Sequence, residues 1–168
     1  MDPEPWLSGT LLDVHPVQRA VLHALQLAEN DLFKWCEDFL VAELIARPAN
    51  LPSLAFQVKH IARSIDRLLT YAEGGNLNEE QLSALKGEDD DASDRDQLFS
   101  ELRLALSSAT QRIMKFDPVK LDEPRTVGRK KLPTTVAGLL IHVAEHTQRH
   151  VGQAITTAKV IRFQRSES

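Results

Sequence analysis

Three of the chain's six histidines fall four residues apart in the stretch HVAEHTQRHVGQA, residues 142–154. Four residues turn an α-helix by about 40° beyond a full turn, so His142, His146 and His150 form a slanting row on one helical face. Two neighbours in such a row can share one ion, and imidazole suits zinc, nickel, copper and iron. A pair cannot close a coordination shell. The candidate third ligand is His60, midway through LAFQVKHIARSIDRLLTYAEGG and flanked by apolar residues. His60, His146 and His150 would make a three-histidine site. Structural zinc is normally closed by four protein ligands, so three leave a position for water or substrate.

A rival reading stands beside this one. A histidine on an apolar helical face is commonly a hydrogen-bonded core residue, and the same spacing serves a polar, packed helix face without any metal. Spacing also permits the pair His142 and His146 as readily as His146 and His150. Glu145 and Gln148 point away from the row and are expected to face solvent. His15 and His23 read as ordinary surface or core histidines. No Ser/His/Asp or Cys/His arrangement can be argued from spacing. Gly74-Gly75 follows a helical segment instead of preceding one, so it is no phosphate loop.

Around these residues lies an ordinary globular composition, 42% hydrophobic and 26% charged over 168 residues, enough for one domain spanning 1–168. The net charge of −4, with basic residues spread along the chain, gives no reason to expect nucleic acid as a partner. No segment reads as a membrane span. The opening MDPEPWLSG lacks a basic start and an apolar run, which makes the cytoplasm the expected location. The single cysteine, Cys36 in LFKWCEDFL, reads as a buried small hydrophobe, with Phe33 and Leu40 also facing inward. Trp6 and Trp35 are expected to pack.

Helical periodicity supplies the elements that must hold the histidines. Residues 1–15, with Pro3, Pro5 and Gly9, are expected to form an irregular arm. From Pro16 the stripe Val17, Val21, Leu25, Ala28, Leu32, Trp35 and Phe39 predicts a helix fading near Ile45. Ser53 caps a second, carrying Leu54, Val58, Ile61, Ile65 and Leu69 and ending at Gly74-Gly75. Residues 76–93 carry an acidic run and at most a short helical fragment, and read as an exposed connection. A third helix runs from about Asp94 to Phe116. Residues 119–133 form a loop with room for one small hairpin. The fourth helix starts at Thr134 or Thr135 and ends near Ile161, leaving 163–168 as a disordered tail. Four long amphipathic helices without a convincing strand predict an all-α four-helix bundle.

The segments SLAFQVKHIARSIDRLLTYAEG and GLLIHVAEHTQRHVGQAITTAKV together resemble the DinB-like, damage-inducible family of metal-binding bundles, from about Trp6 to Val160. His146-Thr-Gln-Arg-His150 followed by Val-Gly-Gln is similar to that family's last-helix element, and VKHIARS places His60 at its second-helix ligand. The resemblance therefore selects His60, His146 and His150 and sets His142 aside, as a residue lining or packing beneath the site. It implies an up-down-down-up bundle with long connections, a nickel or zinc ion, a homodimer and a role in stress. Some relatives transfer low-molecular-weight thiols such as bacillithiol, mycothiol or glutathione to small electrophiles. Others have no established activity, and for them the implied alternative is a non-catalytic protein whose metal is structural. Gln57 departs from the pattern, standing where similar sequences carry a histidine, which puts any support that residue gives the ion in doubt.

Overall fold

Each long helix opens on a residue suited to satisfy its unpaired N–H groups. The computed structural model describes residues 3–89 and 94–167. Helix α1 (Pro16–Cys36) begins on a proline whose missing N–H costs nothing there, behind His15, whose Nδ1 accepts from Val17 N. Helix α2 (Val41–Leu44) is a single turn. Ser53 Oγ accepts from Phe56 N at 3.2 Å to start α3 (Leu54–Ala72). Asn78 and Gln81 form a reciprocal capping box on α4 (Glu79–Lys86). Asp94 caps α5 (Arg95–Met114), and Thr135 caps α6 (Val136–Ser166). The small antiparallel hairpin, β1 (Pro124–Val127) with β2 (Leu132–Thr135), delivers the chain to that last cap.

Side-chain links fix the helix directions. Gln148 Nε2 donates to Ala24 O at 2.7 Å and, further along both helices, the Arg162 guanidinium lies over Trp35, so α1 and α6 run the same way. Across α3 and α6 the order reverses: Ser64 meets His146, while Thr157 Oγ1 donates to Pro52 O just ahead of α3. Arg63 pairs with Glu101 and Arg112 with Glu73, which makes α3 and α5 parallel. Gln18 Nε2 donates to Ile113 O while Phe33 packs on Phe99, so α1 and α5 are antiparallel. The four long helices run up, down, down, up. Two consecutive parallel helices require a connection that climbs back beside them, and residues 73–89 follow that course along α3.

The core fills the space between the apolar faces of the four long helices, with Leu32, Phe39, Ile61, Ile65, Leu102, Ile113 and Leu140 among its fully buried side chains. Among the described residues no helix is long and apolar enough to cross a membrane.

Several boundaries differ from the expectation. Helix α1 ends at Cys36 instead of continuing to Ile45. The chain turns after Glu37 and Asp38, and the Glu43 carboxylate accepts from Leu40 N at 2.8 Å, which caps a separate short helix. Phe39 is buried by the turn while Leu40, expected inside, is 73% exposed. Trp6 also faces solvent, 63% exposed, with its indole N–H on Glu4. Trp35 is half-buried under the cations of Lys159 and Arg162. Residues 163–166 are helical, because Arg165 pairs with Glu43 at 2.8 Å and holds the last turn of α6 against α2. Within the acidic connection, Asp90 and Asp91 lie outside the described residues, but α4 is docked on α3 and Glu88 is only 5% exposed.

Cys36 lies fully buried at the end of α1, as expected of a small hydrophobe. Burial pushes its thiol up to about 12, so the sulfur stays protonated at any working pH. Native protein at pH 8 is therefore expected to be inert to a disulfide colour reagent for an hour and to titrate one thiol per chain in guanidinium. A full native titration at pH 8 would contradict this placement.

Candidate metal centre

Helices α3 and α6 cross the core antiparallel, and their contact brings His60 between His146 and His150. Ring centroids lie 4.3 Å apart for His60 and His150, 4.6 Å for His146 and His150, and 5.0 Å for His60 and His146. One nitrogen from each ring falls within 4.8 Å of the other two. His60 Nε2 and His146 Nε2 are 3.4 Å apart. Two nitrogens bound to one tetrahedral zinc at about 2.0–2.1 Å would be separated by about 3.3–3.4 Å.

The hydrogen bonds around the rings decide which nitrogens are free. His60 Nδ1 donates to Glu88 Oε2 at 2.7 Å. His150 Nδ1 donates to Gln57 Oε1 at 2.7 Å, and Gln57 Nε2 in turn donates to Gln153 Oε1 at 3.0 Å. Ser64 Oγ gives its proton to Ile61 O and so accepts from His146 Nδ1 at 3.4 Å. In the neutral imidazoles that ligation requires, all three protons then sit on Nδ1 and all three Nε2 atoms keep a bare lone pair. Three bare acceptors cannot hydrogen-bond one another; a cation answers them all. The donor set fits a divalent first-row ion.

Electrostatics point the same way. Burial, reinforced by the neighbouring imidazoles, pushes His146 down to about 4. Burial and then His60 push His150 down to about 4 as well. Both rings are therefore unprotonated at neutral pH. Burial alone would raise Glu88, but the hydrogen bonds from His60 and Arg67 outweigh it and hold the carboxyl below its usual range.

His142 stays outside the trio. Its Nδ1 is held by Glu145 Oε1 at 2.6 Å on the partly exposed side of α6, and its ring touches only that of His146 within the cluster. Glu145 faces solvent as expected, whereas Gln148 does not, since its amide joins α6 to α1. Phe56 stacks on His60 at 5.4 Å between centroids. His15 and His23 lie on or ahead of α1, with His23 Nε2 against Thr10 Oγ1.

The profile of the DinB superfamily matches residues 24–154, a span that runs from α1 to α6 and includes all three clustered histidines. The chain belongs to the DinB superfamily. The resemblance carried by the two helical segments is thus matched over most of the sequence, and the all-α bundle is the fold of that family. Comparison with curated proteins finds no match.

Of the partners that orient this DinB-like cluster, the sequence marks the position of Gln57 but not Ser64 or Glu88. Gln57 stands three residues before His60, one helical turn away, and is fully buried. It stands where similar sequences carry a histidine, and its amide oxygen accepts from His150 Nδ1. Glu88 carries no local signal at all: it lies 28 residues from His60 inside an acidic run.

Proposed function

We propose that this DinB-superfamily protein holds one divalent ion, nickel or zinc, through Nε2 of His60, His146 and His150, and uses the remaining coordination position for a soluble low-molecular-weight thiol. The observation that carries the reading is the set of three rings whose Nδ1 protons are all engaged elsewhere. An ion so bound would act as a Lewis acid that stabilises thiolate at neutral pH. The thiol must come from solution, because Cys36 is the chain's single cysteine and is buried and protonated. The chain's own share of the work is positional: α6 presents two ligands one turn apart, α3 supplies the third, and Phe56 shields one face of His60.

The test is conjugation of glutathione, or a bacterial thiol of the same kind, to a chlorinated aromatic acceptor by metal-loaded protein. The thiolate sulfur would form a bond to the ring carbon as chloride leaves with its electron pair. Turnover that needs the ion and disappears in the His60→Ala, His146→Ala, His150→Ala triple variant is expected. Turnover surviving that variant would refute the metal-activated route. A second reading follows from the position of the cluster across two antiparallel helices: the ion ties α3 to α6 and serves stability. Its signature is a raised melting temperature with no turnover on any thiol offered.

A further inference from the structure

The three histidines are not held alike. Helical spacing brings the pair on α6 together, since four residues place both rings on one face. His60 comes from another helix and has no neighbouring ligand to fix its rotation. It alone receives a carboxylate: His150 meets the Gln57 amide oxygen and His146 the Ser64 hydroxyl, while His60 Nδ1 donates to Glu88 Oε2. A carboxylate is the strongest acceptor of the three, and a carboxylate behind an imidazole both fixes its tautomer and makes its other nitrogen a better donor.

Glu88 is itself fixed. Its second oxygen, Oε1, accepts from Arg67 Nη1 at 2.6 Å, and Arg67 stands two turns along α3 on the same face as His60. The backbone reaches this point because the connection from α3 to α5 climbs back along α3 and is fastened at each stage. Gln81 Nε2 donates to Asp66 Oδ2 and Thr70 Oγ1, and Arg63 Nη1 donates to Ala84 O. Glu88 follows four residues after Ala84, level with His60 in the first half of α3.

We propose that Glu88 is a positioning residue for His60, held in register by Arg67, and that docking of the connection bearing α4 and binding of the ion reinforce each other. The inference rests on the metal reading above. If Glu88 improves ion binding by holding His60, then the bound ion must hold Glu88, and with it the connection, by the same free energy.

Two measurements on the full chain test this, with zinc as the probe. Glu88→Gln keeps size and shape but can offer an oxygen to only one of the two donors, so His60 or Arg67 is left facing an N–H. Zinc affinity, read by competition with a chromophoric chelator, is expected to fall by about 10–100-fold. In the parent protein, zinc is expected to slow tryptic cleavage at the exposed Lys86 in α4, and the variant is expected to lose most of that protection. Because Glu88→Gln orphans a buried guanidinium, the double variant Arg67→Met, Glu88→Leu, which leaves neither that charge nor an acceptor for His60, is measured beside it and should show at least the same loss of affinity with the apo-protein still folded. A variant that binds zinc within about twofold of the parent and keeps the Lys86 protection overturns the positioning role while leaving the triad intact. A fall in apo melting temperature with unchanged zinc affinity does the same, marking Glu88 as purely structural. A parent protein that takes up no zinc or nickel overturns the metal reading and this inference together.

Discussion

Purified His146→Ala protein is expected to carry almost no divalent metal where the parent carries about one ion per chain. The His146 ring contacts both other rings of the cluster, and its Nε2 lies 3.4 Å from that of His60. Removing an outer hydrogen-bond partner of a ligand already costs about 10–100-fold in affinity, so removing the ligand should cost more than about 100-fold. The fold should survive, because His146 is only partly buried and the core stripe of α6 is carried by Leu139, Val143, Val151 and Ala158. Elemental analysis of untagged protein is the measurement, with His142→Ala as the control that keeps its metal. Near-stoichiometric metal in His146→Ala would remove it from the ligand set. Loading the parent should also stabilise it. An ion present at about 100 times its dissociation constant adds about 2.7 kcal/mol, which for a chain of this size is roughly 5–11 °C in melting temperature. A chelator should reverse the shift in the parent and have none to reverse in the variant.

Phe39→Ala should produce the largest loss of stability of any single change outside the cluster, about 3–5 kcal/mol. The ring is essentially inaccessible, it lies at the turn between α1 and α2, and the guanidiniums of Arg162 and Arg165 cover it at 4.9 Å and 5.5 Å. Truncation leaves a cavity beneath two cations and removes what holds the end of α6 to the α1–α2 turn. Thermal unfolding should shift down by roughly 10 °C. Metal affinity of the folded protein should not change, since Arg162 stands twelve residues beyond His150, about 18 Å along α6. A shift of only a degree or two would show that the turn collapses onto the space and that Phe39 does not anchor it.

The long helices were legible because each buries a continuous stripe, and the period of that stripe is written in residues such as Leu54, Val58, Ile61 and Ile65. The row of histidines on α6 was legible for the same reason, since spacing within a helix is spacing in sequence. Spacing left open which two of His142, His146 and His150 pair, and the family resemblance made that choice. What periodicity hides is any feature made by the chain meeting itself. The break after Cys36 depends on Glu43 reaching back to Leu40, the extra turns of α6 on Arg165 meeting Glu43, and the burial of Glu88 on two donors from α3. In composition Glu88 is one more acid in a run of acids. Its neighbours across space, not along the chain, make it a buried partner of His60. Gln57 shows the converse case, a position singled out by pattern whose substitute, an amide, still accepts from a histidine.

Helix α6 packs against both α1 and α3, yet it is the last of the long helices to leave the ribosome. Until Val136 and the residues beyond it have been made, α1 and α3 lack the surface that covers them, and His60 has neither of its companions. Assembly of the bundle and completion of the cluster are thus deferred to the same late moment of synthesis. A nascent or truncated chain ending before α6 would present an uncovered apolar face together with a solitary imidazole. Competence to retain an ion would then report that α6 has been made and has docked.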